Sequence, residues 1–417
     1  MKRLAIIGGG ISGLAALHYL KKRFAKNIEI TLFERESIVG GTIHTLKNHG
    51  CLFETGPNGF LNHQSSTFEL IQDLGLTPQL IEANPNAKRR YIQIREQLYQ
   101  LPTGPISFIT TPLLSFKDKW AMIQGIFKKN ISTDQSIYDY VTQRFNSNIA
   151  QCLADPFITG IYAGDIKRLH MASAFPQFGN KAKRVKKHKT LLYSFKKGMG
   201  QCMEALYTNY QEHIRTGQEI NSLDNIDADI IILATPAYVT NKIIEGRHPR
   251  LTALLEQIHY APVALAGLVF PQDSFRQLPD GFGYLVSSQE SKDILGVLIE
   301  SSVYADRAPQ GLVMIRVMLG GMHHPAIIND NQEQILSKAN KEINTVYGLN
   351  SSPVQTFVKL WPKGIPQYDL NYPLLRKHIT EELKKTPNLY LCANYLDGIS
   401  FNDCINNAKS IANTILI

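Results

Sequence analysis

Residues 3–24 read RLAIIGGGISGLAALHYLKKRF, and this stretch decides the fold. A short apolar run at 4–7 reads as a strand. Gly8, Gly10 and Gly13 follow in GxGxxG spacing. Leu14, Leu17, Leu20 and Phe24 then recur at helical intervals. Strand, tight turn and helix in that order give the glycine spacing its meaning. Gly8 permits the turn, Gly10 lets a pyrophosphate approach the backbone, and Gly13 lets the helix pack on the strand. The amides around Gly9, Ile11 and Ser12, at the helix start, face the phosphates. A second strand, IEITLFE (28–34), ends in Glu34, 21 residues past Gly13, where an acid grips a ribose diol.

The residues after Glu34 separate two kinds of dinucleotide. RESIVGGTIHT (35–45) brings a second glycine pair, Gly40 and Gly41, for which a nicotinamide domain has no need. FETGPNGFL (53–61) adds a glycine-proline element. Acid, glycine pair and Gly-Pro in this order resemble the flavoprotein group that includes amine oxidases and phytoene desaturases. The resemblance implies a noncovalent FAD, one per chain, running along Arg35, Gly40, Gly41, Thr42, Gly56, Pro57, Asn58 and Gly59. Gly56 and Gly59 are read as bare so that the main chain lies against the flavin. Pro57 fixes the bend.

The chain closes with NLYLCANYLDGISFNDCINNAKSIANTILI (388–417). LYLCAN reads as a short strand and Gly398 breaks it. Asn402 or Asp403 is expected to cap a helix whose buried stripe is Ile405, Ala408, Ala412 and Ile415. In the flavoprotein group this helix start, here Gly398, Ile399 and Ser400, points its partial positive charge at the flavin's pyrimidine carbonyl. DADIIILATPAY (227–238) reads as a buried strand of the same domain, with Ile220 upstream as an adenine contact.

Several middle stretches resemble one family, the protoporphyrinogen/coproporphyrinogen oxidases of haem biosynthesis. They are YQLPTGP (99–105), DPFITGIYAGDIKRLHMASAFP (155–176), GFGYLVSSQESKDILGVLIESSVYADRAP (281–309), MIRVMLGG (314–321), LWPKGIPQY (360–368) and GISFNDCI (398–405). The likeness runs along nearly the whole chain in the family's order.

The resemblance implies an α/β and α+β fold. An FAD-binding Rossmann-like domain (1–75, 190–240, 385–417) accompanies a mixed-sheet substrate domain (76–101, 241–384). A helical membrane-associated domain (102–189) is inserted between them. Trp361 joins the flavin contacts. Arg90 aligns with a propionate-binding arginine, whose fork suits a carboxylate. Gly164, or backbone around it, holds the macrocycle nitrogens. Leu295, Val297 and Ile299 alternate along a strand and read as an apolar wall or as core. The implied reaction passes hydride from a meso carbon to the flavin, three times, with molecular oxygen as final acceptor. Flanking pyrroles stabilise the cation, so no acid–base set is required.

The chain departs from the family between Gln201 and Asp229, where too few residues remain for the usual strands. Thr42 stands where many members carry a larger residue.

Composition fits this reading. The chain has 417 residues, 44% hydrophobic and 19% charged, as in a soluble multidomain protein. No run of 18 apolar residues suggests a membrane span. The five cysteines are scattered, which argues for reduced thiols and a cytoplasmic setting. His323 and His324 lack partners at metal spacing, so no metal is expected. The net charge is +9, and residues 166–203 contain no acid. That block and the apolar stretch ISFITTPLLSFKDKWAMIQGIFKKN (106–130) suit a peripheral membrane surface. Nucleic acid is a poor alternative, because aromatics do not interleave with the block. A homodimer stays open. Other readings are an amine or carotenoid-type flavin oxidase and a flavin-free GDP-dissociation-inhibitor-like protein. The intact Gly8, Gly10, Gly13 and Glu34 speak against the second.

Overall fold

A computed structural model describes residues 1–25, 27–176 and 190–416. Its first sheet is five-stranded and wholly parallel, in the order Ile214–Arg215, Ile28–Phe33, Lys2–Ile7, Ile230–Leu233 and Leu389–Leu391. Parallel strands need cover on both faces, which is why the buried positions Leu4–Ile7, Ile30, Leu32, Ile230, Ile232 and Leu233 are apolar. On one face lie the helices Ile11–Phe24, Gly200–Tyr210 and Phe401–Thr414, burying Leu14, Leu17, Leu206 and Ile405. On the other, Ala237–Ile244, Pro249–Leu255 and Tyr372–Lys384 bury Ile244, Leu251 and Ile379. Helix Ile11–Phe24 packs so tightly that a side chain on Gly13 would lie 1.9 Å from the Gly8 carbonyl oxygen. The segment after Gln201, expected to be too short for strands, still adds the two-residue strand Ile214–Arg215 at the sheet edge.

The second sheet is mixed and has seven strands. They are Gln355–Pro366, Tyr260–Pro271, Leu312–Gly320, Ile294–Leu298, Gly283–Val286, Arg90–Ile94 and Gln97–Gln100. All neighbours are antiparallel except Gly283–Val286 with Arg90–Ile94. Helix Gln332–Tyr347 covers one face, packing Ile335, Ala339 and Ile343 on Ala264, Leu268, Ile315 and Val317. The opposite face carries a separate apolar cluster of Val263, Leu265 and Leu295, joined by Met318 and Trp361.

That division corrects one expectation. Leu295, Val297 and Ile299 do not share a face. A register shift between Ile294 and Gly296 interrupts the alternation. Leu295 turns toward Val263 and Leu265, while Val297 and Ile299 join the core under helix Gln332–Tyr347. One extra residue moves every later side chain to the other face.

Between residues 105 and 174 the chain is mostly helical. Helix Phe116–Phe127 opens with a capping box made by Ser115 and Asp118. The Asp118 carboxylate also accepts from Asn146 at 2.9 Å and Asn148 at 2.8 Å. The helix is thus moored by a buried polar group. Phe116, Trp120, Ile123 and Phe127, spaced for one helical face, are 84%, 55%, 42% and 74% exposed. Ile106 and Ile109 on the preceding helix are exposed as well. Among the described residues, no helix is long and apolar enough to cross a membrane. Six cations of the basic block, Lys181, Lys183, Arg184, Lys186, Lys187 and Lys189, lie outside the described residues.

Gly13→Ala tests the close packing of the first helix. We expect a loss of about 3 kcal/mol from the clash with Gly8. A thermal melt equal to wild type would contradict it.

Candidate functional site

The loop after the first strand is fixed from outside by Glu34. The Gly9 amide donates to Glu34 Oε2 at 2.7 Å, and the Glu36 amide donates to Oε1 at 2.9 Å. Two backbone donors therefore orient this buried carboxylate at the end of strand Ile28–Phe33. Arg35 turns outward and pairs with Glu36 at 3.0 Å.

The two glycine turns meet through backbone alone. The Gly40 amide donates to the Gly9 carbonyl at 2.8 Å. A side chain on Gly41 would meet Gly10 Cα at 3.2 Å. On Gly10 itself the side-chain direction is open, with the nearest atom 4.0 Å away. Ile11 and Ser12 are buried in the first turn of the helix, whose leading amides have no intrahelical acceptor.

The 53–61 stretch does press its bare backbone against something, but the nearest neighbours are protein atoms. A side chain on Gly56 would lie 2.3 Å from the Thr42 carbonyl oxygen. One on Gly59 would lie 2.4 Å from the Tyr304 hydroxyl and 2.6 Å from the Tyr193 carbonyl. Both glycines are therefore required by packing, independently of any ligand. The Thr55 hydroxyl donates to the Thr42 carbonyl at 2.9 Å. Trp361 Nε1 donates to the Thr55 carbonyl at 2.7 Å, tying this stretch to the seven-stranded sheet. Pro57 and Asn58 are half-buried, and Asn58 Nδ2 is a buried donor without an acceptor.

The far end of the chain arrives at the same place. Asn402 Nδ2 donates to the Leu61 carbonyl at 2.7 Å, and its Oδ1 accepts from Thr67 at 2.8 Å. Asn402 is thus no cap. Ser400 caps helix Phe401–Thr414, accepting from the Asp403 amide at 3.1 Å, with Asp403 closing the capping box. Gly398 donates its amide to the Tyr368 hydroxyl at 2.8 Å. Ile399 packs beside the cluster of Tyr162, Tyr368 and Tyr372.

Three expected residues have other surroundings. Ile220 packs partly buried against the core of Leu223 and Leu233. Arg90 is exposed, with its guanidinium 4.6 Å from the Phe282 ring centroid. Gly164 is buried after Ala163, which ends helix Asp155–Tyr162 in the left-handed conformation. A side chain on Gly164 would lie 2.5 Å from Gln367 Oε1. The preceding carbonyls are engaged too. Tyr162 accepts from Gln367 Nε2 at 2.9 Å and Ala163 from the Met322 amide at 2.8 Å.

Sequence reasoning missed a buried group of charges beside this site: Glu54, Glu300, Arg307 and Arg316. Its signal was present, since Arg316 is the lone charge in the apolar run LVMIRVML (312–319). Arg316 donates to the Gly56 carbonyl, and Arg307 lies 3.5 Å from Glu54. Burial pushes the Glu54 carboxyl up to about 7, against the pull of Arg307, and raises Glu300 as well.

A cleft of about 570 Å³ lies elsewhere, between Tyr238, Lys242, His259, Tyr260 and Lys363. None of the expected cofactor residues lines it. Among the described residues, no cluster of three metal-binding side chains exists. The open direction at Gly10, the accessible Gly41 and Thr42, the orphan amide of Asn58 and the capped helix start fit an extended flavin dinucleotide.

Such a convergence suits a flavoprotein. The chain belongs to the flavin containing amine oxidoreductase family, whose model matches residues 11–416. It is 28% identical to coproporphyrinogen III oxidase of Bacillus subtilis (strain 168), over all of this chain and 98% of that one. It is 24% identical to protoporphyrinogen oxidase 2, chloroplastic/mitochondrial, of Arabidopsis thaliana, over 100% and 94%. Among solved structures, a candidate protoporphyrinogen oxidase from Exiguobacterium sp. 255-15 superposes with a TM-score of 0.85 at 23% identity, covering 99% of this chain and 98% of that one. Reduced UDP-galactopyranose mutase superposes at 0.77 with 13% identity, covering 99% and 93%. These structural likenesses establish the fold.

Glu54 gives the site a pH signature. Its carboxyl binds a proton more tightly folded than unfolded, between the ordinary value of 4.5 and about 7. Stability from this group is therefore full at low pH and falls as pH rises through that window. Glu54→Gln should gain on wild type by up to about 3 kcal/mol between pH 5 and 8. Parallel melting curves across that range would contradict the assignment.

Proposed function

We propose that the protein oxidises a porphyrinogen to the porphyrin in haem biosynthesis, using FAD. The observation that carries this reading is the apolar cluster Val263, Leu265, Leu295, Met318 and Trp361, tied through Trp361 to the Thr55 carbonyl beside the glycine turns. An apolar wall against the flavin-binding stretch suits a large tetrapyrrole. When bound, FAD supplies a two-electron acceptor, and molecular oxygen carries each electron pair away as hydrogen peroxide. Gly9, Gly10, Ile11 and Ser12 receive the pyrophosphate at the helix start, and Glu34 the ribose. Asn58 offers its free donor to the flavin. Met318 and Trp361, the partly exposed members of this cluster, exclude water and orient the macrocycle, backed by Leu265 and Leu295. Ala163, beside Gly164, packs in the same apolar cluster and so brings that segment to the edge of the macrocycle site, and the exposed Arg90 takes a propionate.

The division of labour runs with the strands of the two sheets, although helices Pro249–Leu255 and Tyr372–Lys384 of the substrate-binding part cover the parallel sheet. Segments 1–75, 190–240 and 385–417 bind the cofactor; 76–101 and 241–384 bind substrate. The segment 102–189, through Phe116, Trp120, Ile123 and Phe127 on its helix Phe116–Phe127, rests on an anionic membrane surface from the cytoplasmic side. The substrate is protoporphyrinogen IX. Coproporphyrinogen III is the second reading, favoured by the 28% identity to the Bacillus subtilis enzyme.

Anaerobic mixing of the flavin-loaded protein with each porphyrinogen distinguishes the two. The preferred substrate bleaches the flavin band fastest; bleaching by neither would refute the proposal. For the membrane contact, sedimentation with anionic vesicles should retain wild type. A Phe116→Ser/Trp120→Ser/Phe127→Ser variant should bind at least about tenfold more weakly, from the apolar area lost. Equal sedimentation would remove the contact.

A further inference from the structure

Two guanidiniums and two carboxyls are buried together behind segment 54–59. Arg307 and Glu300 are fully buried, Glu54 nearly so, and Arg316 is 9% exposed. Their formal charges cancel, as buried ions require. Arg316 reaches segment 54–59 directly, while Arg307 and Glu54 also tie it to residues 194–199. Arg316 Nη2 donates to the Gly56 carbonyl, whose partner in the peptide is Pro57, a residue without an N–H. Arg307 Nη2 lies 3.5 Å from Glu54 Oε1 and donates to Ser194 Oγ at 2.6 Å. The Tyr304 ring lies 4.9 Å from the Arg307 guanidinium carbon, and its hydroxyl fills the space beside Gly59.

Arg316 is aimed at Gly56 more than at its counter-ion. Its Nη1 lies 3.5 Å from Glu300 Oε1, while Arg316 Nε and Glu300 Oε2, both buried, have no hydrogen-bond partner. A pair built for stability would be bidentate. Arg316 stands on strand Leu312–Gly320 opposite Gly267, whose missing side chain makes room for the Phe53 ring. The adjoining void, lined by Glu54, Leu265, Glu300 and Arg316, measures only about 10 Å³, leaving the guanidinium little room to swing aside. Gly56 in turn abuts the Thr42 carbonyl across the second glycine turn.

We infer that Arg316 is a positioning residue for the flavin. By holding the Gly56 carbonyl toward the seven-stranded sheet, it sets the spacing between segment 55–58 and the turn at 40–42, and thereby flavin affinity. Glu300 balances its charge. This inference rests on the flavin reading above.

The test titrates apoprotein with FAD, following flavin fluorescence, alongside a melt of each apoprotein. Arg316→Met leaves Glu300 uncompensated and should lower both stability and affinity. Arg316→Met/Glu300→Gln restores charge balance. Its apoprotein should melt within about 3 °C of wild type, yet its FAD dissociation constant should rise about tenfold or more through the lost charge-assisted contact. A merely structural role would move the melt and leave the dissociation constant of the folded protein alone. An FAD dissociation constant for the double variant within about twofold of wild type would overturn the inference. Should neither Met variant fold, Arg316→Lys decides. It keeps the charge but not the fork, so weakened binding supports the inference and wild-type binding ends it. A wild-type apoprotein that takes up no FAD would sink the flavin reading itself, and with it the role of Arg316.

Discussion

Two glycine turns touch through backbone alone, and most of the site follows from that contact. The Gly40 amide reaches the Gly9 carbonyl, and Gly41, having no side chain, lies directly against Gly10 Cα. The contact leaves Gly10 open on its outer side and places Thr42 where the 53–61 stretch can lie across it. Glu34 then completes the corner by accepting the Gly9 amide. None of these bonds is individually strong, at about 1 kcal/mol net for the backbone pairs and about 1.5–3 kcal/mol for the bond to the Glu34 carboxylate. Their value is geometric: they convert a flexible loop into a fixed cradle before any ligand arrives.

The cradle is closed by residues from far along the chain. Trp361 holds Thr55, Arg316 holds Gly56 and Asn402 holds Leu61. These three anchors come from the edge strand, a central strand and the C-terminal helix. The 53–61 stretch is therefore the seam between the parallel sheet and the seven-stranded sheet. A site at such a seam feels changes in either half. The buried charges behind it make that coupling ionic as well as steric.

The parallel sheet was legible because strong local signals agreed with one another. Glycine spacing, apolar strands and helical periodicity all pointed to one answer around residues 3–34, and the strand at Ile230–Leu233 followed from its unbroken apolar run. The C-terminal helix was legible in place but not in its cap, since Ser400, Asn402 and Asp403 are all good capping residues and only tertiary contact assigns Asn402 elsewhere. Wall or core stayed open for Val297 and Ile299 because the bulge that turns them into the core leaves no mark in an alternating pattern. Gly56 and Gly59 looked like ligand contacts, whereas the groups they make room for, the Thr42 carbonyl and Tyr304, are distant or silent in sequence. Of the four buried charges only Arg316 left a mark, as the lone charge in the apolar run 312–319; Glu54, Glu300 and Arg307 did not. A charged residue reads as exposed until the fold shows its counter-ions.

The central claim is that these distant stretches together form a flavin cradle whose open side is Gly10. The most direct measurement is the absorbance spectrum of purified wild-type and Gly10→Val proteins after incubation with excess FAD and removal of the unbound flavin. The account predicts flavin bands at one FAD per chain in wild type and none in the variant, because the added side chain occupies the only unfilled direction of the first glycine turn. A Gly10→Val protein that stays as yellow as wild type, or a wild type that stays colourless, would contradict it.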